Sequence, residues 1–257
     1  MLQDKVVVVS GIGPGLGREL AVRSALSGAD VVLAARTESR LLDVAKEVEA
    51  AGRRAVAVPT DITDEESAQT LAKIAIETFG RVDALVHNAY AEPPFDDFVN
   101  VDLDDIRSSF ETTVFAALRL TRLFAPALKE TEGSVVMVNS IVVRESKPQF
   151  GPYKMGKTAL LSLAQTLASE LGPQGIRVNS VVPGFIWTDA MKEAFQFQAD
   201  ERGVPLREVY DEIAADMDLR RLPEPAEVAN AALFLASDLA RAITGQSLDV
   251  NAGQYHH

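Results

Sequence analysis

Along the chain, short runs of near-continuous apolar residues rich in valine and isoleucine alternate with longer stretches whose apolar positions recur at helical spacing. The runs fall at residues 5–10, 30–35, 54–58, 82–87, 134–140, 176–182 and 247–250, and predict strands. Helical spacing occupies residues 16–27, 38–51, 64–79, 103–129, 153–171 and 225–236. Strands that are apolar on both faces belong in a parallel sheet covered on each side by helices. The predicted fold class is therefore α/β, a doubly wound, seven-stranded parallel sheet with helices on both faces. No repeat, low-complexity linker or change of composition divides the chain, so residues 1–257 are expected to form one domain. One stretch breaks the rhythm. Residues 185–222 mix aromatic and charged side chains, and are expected either to cover a binding site or to form surface helices.

The first predicted strand ends in Ser10-Gly11-Ile12-Gly13-Pro14-Gly15-Leu16-Gly17 and opens directly into a helix. Gly11 and Gly13 would need glycine at position 16 to complete the common G-x-G-x-x-G spacing, and that position is Leu16. Gly11, Gly15 and Gly17 instead fit G-x-x-x-G-x-G. Glycines allow a tight turn and close backbone approach, while a helix N-terminus offers free N–H groups to a pyrophosphate. Gly11, Gly13, Gly15, Leu16 and Gly17 are therefore expected to hold a dinucleotide. The second strand runs out at Ala34-Ala35-Arg36, without the carboxylate that would bind the ribose hydroxyls of NAD. Arg36 suits a 2′-phosphate instead, which favours NADP(H) and leaves NAD(H) open.

Tyr153 and Lys157 stand four apart at the start of a predicted helix and so share one face. Ser140 ends a strand thirteen residues before Tyr153, and the intervening loop is long enough to bring its hydroxyl over the helix start. A phenol titrates near ~10, so losing its proton at neutral pH needs a shift of about three units, or ~4 kcal/mol. One cation at ~4 Å supplies about that much at an effective dielectric of ~20. Lys157 is thus expected to acidify Tyr153, which gives or takes a proton while Ser140 orients the substrate oxygen. Val138-Asn139-Ser140-Ile141 lacks the glycines of a nucleophile elbow, which argues against Ser140 as a hydrolase nucleophile.

Charge narrows the partners. With 25 Lys+Arg against 37 Asp+Glu the net charge is −12. Such a surface repels phosphate backbones and anionic leaflets, so a small molecule is the expected partner and neither nucleic acid nor membrane is. Cysteine is absent, which excludes disulfides, a thiolate nucleophile and Cys-ligated metals. The histidines are His87, His256 and His257; the first reads as a hydrogen-bonded strand-end residue and the others as a disordered end or tag remnant, so no metal site is expected. No run approaches the ~20 apolar residues of a membrane span. Asp4 and Lys5 interrupt the start, and a cytoplasmic location is expected.

Taken together, Gly11-x-x-x-Gly15-x-Gly17, Asp61, Asn88-Ala89, Ser140, Tyr153-x-x-x-Lys157 and Pro183-Gly184-Phe185-Ile186-Trp187-Thr188 resemble the short-chain dehydrogenase/reductase family in its Rossmann form, over nearly the whole chain. The resemblance implies that Asp61 brackets the adenine and Asn88 the adenosine side. It also implies that Lys157 reaches the nicotinamide ribose and that Ile186 and Thr188 hold the carboxamide, with Ile62, Ala89, Pro183 and Gly184 as further cofactor neighbours. A homotetramer or dimer, built through the helices at 103–129 and 153–171, is implied as well. Two departures stand out. Tyr90 replaces the glycine of the family's Asn-Asn-Ala-Gly and is expected to turn toward the substrate. Thr113 aligns with the family's catalytic asparagine, whose carbonyl helps hold a water on the lysine, and is counted with Ser140, Tyr153 and Lys157. The implied reaction is reversible hydride transfer between nicotinamide and a carbonyl or alcohol. Tyr90, Trp187, Met191 and Phe195, with Phe197 and Met217 nearby, are expected either to form an apolar cover suited to a hydrophobic ketone or secondary alcohol, alicyclic or steroid-like, or to pack their own helices or a subunit contact. One alternative is a 3-oxoacyl thioester reductase, with Lys192, Arg202, Arg207, Arg220 and Arg221 receiving an acidic carrier. Another is a non-catalytic nucleotide-binding, redox-sensing module.

Overall fold

A computed structural model describes residues 1–91 and 94–256, so His257 lies outside the described residues. In chain order the elements are β1 (Val6–Ser10), α1 (Leu16–Leu26), β2 (Asp30–Ala35), α2 (Glu38–Ala50), β3 (Ala55–Pro59), α3 (Glu65–Phe79) and β4 (Ala84–His87). Then come α4 (Leu103–Phe110), α5 (Ala116–Glu130), β5 (Ser134–Val138), α6 (Gly151–Leu171), β6 (Arg177–Pro183), α7 (Asp189–Arg202), α8 (Leu206–Ala214), α9 (Pro225–Ala236) and β7 (Ser247–Val250). The strands form one seven-stranded sheet in the order β3-β2-β1-β4-β5-β6-β7. Every strand pairing is parallel. The order reverses between β1 and β4, which opens a crevice at their carboxyl ends.

Alternation along each strand sends neighbouring residues to opposite layers. Val7, Val9, Val31, Leu33 and Val86 pack with residues of α1, α2 and α9 in one core. Val8, Val32, Leu85 and Met137 pack with Leu71, Leu120, Phe124 and Leu160 of α3, α5 and α6 in the other. Local signals end the helices where these layers require it. Asp64 caps α3 by accepting from the backbone N–H of Ser67 at 2.7 Å, and Gly80 closes it in a left-handed conformation. Glu224 and Glu227 form a reciprocal capping box at α9. Among the described residues, no helix is long and apolar enough to cross a membrane.

One sequence expectation changes, and one with two readings gains its helices. The continuous helix at 103–129 is interrupted by a π-helical turn at Glu111–Phe115, so α4 and α5 are separate segments. Apolar spacing cannot register a single extra residue, because the stripes on either side still read as helical. Residues 185–222 fold as the pair α7 and α8 around a small core of their own, made by Phe195, Ala199, Val209, Ala214, Met217 and Leu222.

Phe124 is fully buried in the core of α3, α5 and α6. Phe124→Ala is expected to lower the unfolding free energy by about 3–5 kcal/mol, as measured by urea denaturation at unchanged m-value.

Candidate active site

The two halves of the sheet meet backbone to backbone. Gly11 has φ +95°, and a Cβ there would lie 2.3 Å from the backbone nitrogen of Ala89, so only glycine fits. The Asn88 side-chain amide donates to the Gly11 carbonyl at 2.6 Å. The backbone N–H groups of Asn88 and Ala89 both donate to the Ser10 carbonyl. A Cβ on Gly17 would sit 2.3 Å from that same Gly11 oxygen. Gly11 and Gly17 thus serve the protein's own packing. Gly13 faces open space, and a Cβ on Gly15 would meet the Thr188 methyl at 3.1 Å. Gly15 also stands at the start of α1 without contributing a side-chain cap. Leu16 packs into the core beneath. This loop offers helix N–H groups and open space beside a glycine, and the first-turn carboxylate of Glu19 is engaged by Arg18 and Arg23, an arrangement that suits a pyrophosphate.

The exit of β6 reaches the same loop. Thr188 accepts from Met191 N–H at 3.2 Å and so caps α7, while its methyl faces Gly15. Its neighbour Trp187 donates its backbone N–H to Pro223 at 2.8 Å, which fixes the turn containing Ile186. Gly184 donates to the Val250 carbonyl at 3.3 Å, so the strand end carrying Pro183 is tied to β7. At the adenosine end Arg36 and Asp61 are both exposed. The Asp61 carboxylate accepts from the Thr63 hydroxyl and N–H, at 2.6 and 2.9 Å. Those bonds, with the charge of Arg36, hold it below the usual carboxylate range. Ile62 is buried beside it, and its carbonyl accepts from Arg119 at 2.9 Å.

Ser140, Tyr153 and Lys157 converge beyond the carboxyl end of β5. Lys157 is buried, and its ammonium donates to the Val138 carbonyl at 2.9 Å, which ties α6 to the end of β5. Burial pulls its pKa down to about 8. Lys157 is not among the influences acting on the Tyr153 phenol in this arrangement. Burial pushes the Tyr153 phenol up to about 12, and the group that favours its ionised form is the Ser140 hydroxyl. The reason is geometric and electrostatic. The Lys157 nitrogen is directed to a carbonyl, 5.8 Å from the Tyr153 ring centre, and desolvation weakens its own charged form. Tyr153 is therefore neutral, with the Ser140 hydroxyl against it.

The aromatic surroundings of Tyr153 were only partly readable in the sequence. Tyr90 is 56% exposed, with its ring centre 6.5 Å from that of Tyr153 and 5.6 Å from the Lys157 nitrogen. Phe95 stacks edge-on to Tyr153 at 6.2 Å and lies 5.0 Å from Phe150. Phe95 and Phe150 gave no periodic signal, because they lie in irregular segments flanking Tyr153. Thr113 is buried in the π-helical turn, and α6 packs against that turn. Phe195 is not a substrate-facing residue as expected: it is 2% exposed, and its ring lies 5.5 Å from Trp187 in the α7–α8 core. Met217 is buried in the same core. Trp187 and Met191 pack against it partly buried, Trp187 edge-on to Tyr210 at 4.8 Å. Helical spacing correctly marks these residues as apolar-facing, but their partner is the paired helix. His87 bonds to the Thr121 hydroxyl at 3.0 Å, and burial holds its pKa near about 3, so it is neutral and structural.

The chain matches, over residues 11–255, a family model described as enoyl-(acyl carrier protein) reductase. It is 34% identical over 255 residues to 7alpha-hydroxysteroid dehydrogenase of Escherichia coli, covering 98% of this chain and 94% of that protein. To L-rhamnose 1-dehydrogenase (NAD(P)(+)) of Sphingomonas it is 36% identical, covering 99% and 98%. A solved structure of 7 alpha-hydroxysteroid dehydrogenase complexed with NADH and 7-oxo glycochenodeoxycholic acid superposes with TM-score 0.88 at 33% identity, over 98% of this chain and 94% of that one. Carveol dehydrogenase from Mycobacterium avium in complex with NAD gives TM-score 0.91 at 27% identity, over 98% of each chain.

The buried Lys157 makes stability depend on pH. Its folded pKa, about 8, lies below the ordinary 10.5, so the folded protein binds fewer protons than the unfolded chain between those values. Stability therefore rises with pH in that window, whereas below it the burial penalty is fully present. Relative to Lys157→Met, the wild type is expected to gain about 2–3 kcal/mol between pH 7 and 10.5. Urea denaturation of both proteins across that range measures the difference.

Proposed function

Since this chain belongs to the short-chain dehydrogenase/reductase family, we propose that it is an oxidoreductase which interconverts a hydrophobic, alicyclic or steroid-like ketone and its secondary alcohol. The observation that carries this reading is the set of rings, Tyr90, Phe95 and Phe150, gathered around the Ser140–Tyr153 pair. Apolar rings bury a fused or cyclic hydrocarbon well and leave a polyol without hydrogen-bond partners. The relatives named for a hydroxysteroid and for carveol agree with it.

A bound nicotinamide supplies or accepts the hydride at its C4. In the reducing direction Tyr153 gives its proton to the carbonyl oxygen, and the Ser140 hydroxyl holds that oxygen in place. A phenol kept neutral by burial is in the right state for this step. Oxidation needs the phenolate, which Ser140 favours. Lys157 binds the ribose and fixes the face of α6 that carries Tyr153, while Thr113 in the π-helical turn serves the water on the lysine. Gly13, Gly15 and the start of α1 hold the pyrophosphate, Asp61 and Ile62 the adenine, and Asn88 and Ala89 the adenosine side. Ile186 and Thr188, after Pro183 and Gly184, hold the carboxamide. Residues 185–222 close over the substrate as a lid, with Trp187 and Met191 at its edge. The exposed Phe115 and Met155 on the outer faces around α5 and α6 support assembly as a dimer or tetramer.

An acidic carrier protein finds little to bind on this chain. Lys192 pairs with Asp189, Arg202 with Glu212, Arg207 with Asp211 and Arg221 with Glu227. Four of the five cations named in the sequence are thereby paired with carboxylates, and the fifth, Arg220, donates to the Ala215 carbonyl, which favours a free small molecule over a carrier-bound thioester.

Tyr153→Phe is expected to lower turnover of a cyclic ketone by about 10²–10⁴ while nucleotide affinity stays within about twofold. Assay with NADPH and a panel of cyclic ketones, steroid ketones, aldoses and 3-oxoacyl thioesters tests the substrate class. Turnover confined to thioesters overturns it, and tight nucleotide binding with no turnover on any carbonyl or alcohol turns the assignment toward a redox-sensing module. NADP(H) is the favoured cofactor through Arg36, with NAD(H) also accepted. Arg36→Leu should weaken NADPH binding about tenfold or more and leave NADH binding nearly unchanged, as read by fluorescence titration.

A further inference from the structure

The segment after β7, residues 251–256, bridges the two parts of the chain that flank Ser140 and Tyr153. On one side the Tyr255 hydroxyl donates to the carboxylate of Glu145, five residues beyond Ser140 on the loop leading to α6. On the other, Leu219 donates its N–H to the Ala252 carbonyl at 3.0 Å, and the His256 ring nitrogen lies 2.9 Å from the Asp218 carboxylate. Asp218 and Leu219 follow α8, where the 185–222 excursion turns back to α9. His256 is therefore held by an acid and not loose, as its place in the sequence had implied.

Between these anchors the segment is wound tightly. Asn251 is buried; its side-chain carbonyl accepts from the N–H groups of Gly253 and Gln254 at 2.9 and 3.2 Å, and its amide donates to the Tyr255 carbonyl at 3.2 Å. Gly253 has φ +85°, and a Cβ there would lie 2.7 Å from the Asp218 side chain. Glu145 is equally constrained. Lys147 pairs with its carboxylate at 2.9 Å, and Lys154, next to Tyr153 on α6, donates to its carbonyl at 2.6 Å. Its neighbour Arg144 binds Asp249 and Ser247 of β7, at 3.0 and 2.7 Å. A pull on Glu145 is thus transmitted both to the serine loop and to the start of α6.

We propose that Tyr255 is a positioning residue for the substrate side of the site, acting through Glu145 to hold the loop between Ser140 and Tyr153 at a fixed setting against the α7–α8 pair. The assignment rests on the oxidoreductase reading for its catalytic consequence, and on the bonds above for its mechanical one. The carboxylate beside it pushes the Tyr255 phenol up to about 12, so it remains a donor throughout the working range. The hydroxyl acts on substrate placement and not on the nucleotide, because its partners lie on the serine loop and not on the glycine loop.

Tyr255→Phe keeps the ring and removes the bond. Two readouts separate the outcomes. Amide hydrogen exchange, which needs no turnover, should quicken about tenfold or more in residues 141–150 and 215–221 and stay unchanged in α1. With a carbonyl substrate, KM should rise about fivefold to tenfold with kcat and nucleotide affinity nearly constant. Glu145→Ala should reproduce both effects, Glu145→Gln, which still accepts the bond, should restore most of them, and combining Tyr255→Phe with Glu145→Ala should add little. Unchanged exchange in 141–150 overturns the proposal. So does faster exchange that extends equally into α1, or a loss that falls on nucleotide affinity. Localised exchange in a protein that turns over no carbonyl leaves the bridge standing and removes only the oxidoreductase reading.

Discussion

The carboxyl ends of β1 and β4 approach so closely that neither Gly11 nor Gly17 has room for a side chain, and the amide of Asn88 stitches the gap. Much of the molecule follows from this contact. The sheet winds away from it in both directions, which opens the crevice at the strand ends, and the start of α1 is held facing that crevice. The last turn of β6 can then bring Thr188 against Gly15. A side chain at either glycine would have to displace backbone, and with it the alignment of the glycine loop to the end of β4.

At the ends of β4 and β5 the governing influence is desolvation. Lys157, Tyr153 and His87 are all driven toward their neutral forms by burial. Hydrogen bonds then divide the labour among them: Val138 fixes the lysine, Thr121 occupies the histidine, and Ser140 is left to favour the phenolate. Proximity in sequence between a cation and a phenol does not determine which influence is larger. That depends on where the ammonium finds its acceptor.

What could be read in the chain was what is local. The glycine spacing, the four-residue step from Tyr153 to Lys157 and the apolar strands all concern neighbours along one element, and the sheet with its two helical layers follows from them. Other features depend on partners distant in sequence. Phe195 carries the mark of a buried helical position, but the spacing does not say that α8 is what buries it. Phe95 and Phe150 lie outside any periodic segment, and Phe95 meets Tyr153 and Phe150 only when loops from β4 and β5 converge. The carbonyl that captures Lys157 is backbone, and backbone acceptors carry no residue-type signature. His256 likewise acquires its meaning from Asp218, on a different part of the chain.

The π-helical turn between α4 and α5 bears on how this protein can tolerate change in length. One residue advances an α-helix by about 100° and 1.5 Å. A turn that already accommodates a surplus residue can lose it and close into regular helix. Because the surplus residue is taken up within the turn, α4 and α5 keep their mutual rotation, and what changes is the direction of the side chains in the wall beside Thr113. Single-residue deletions at 111–115 therefore change the direction of side chains without breaking the scaffold, a kind of variation that substitution cannot reach.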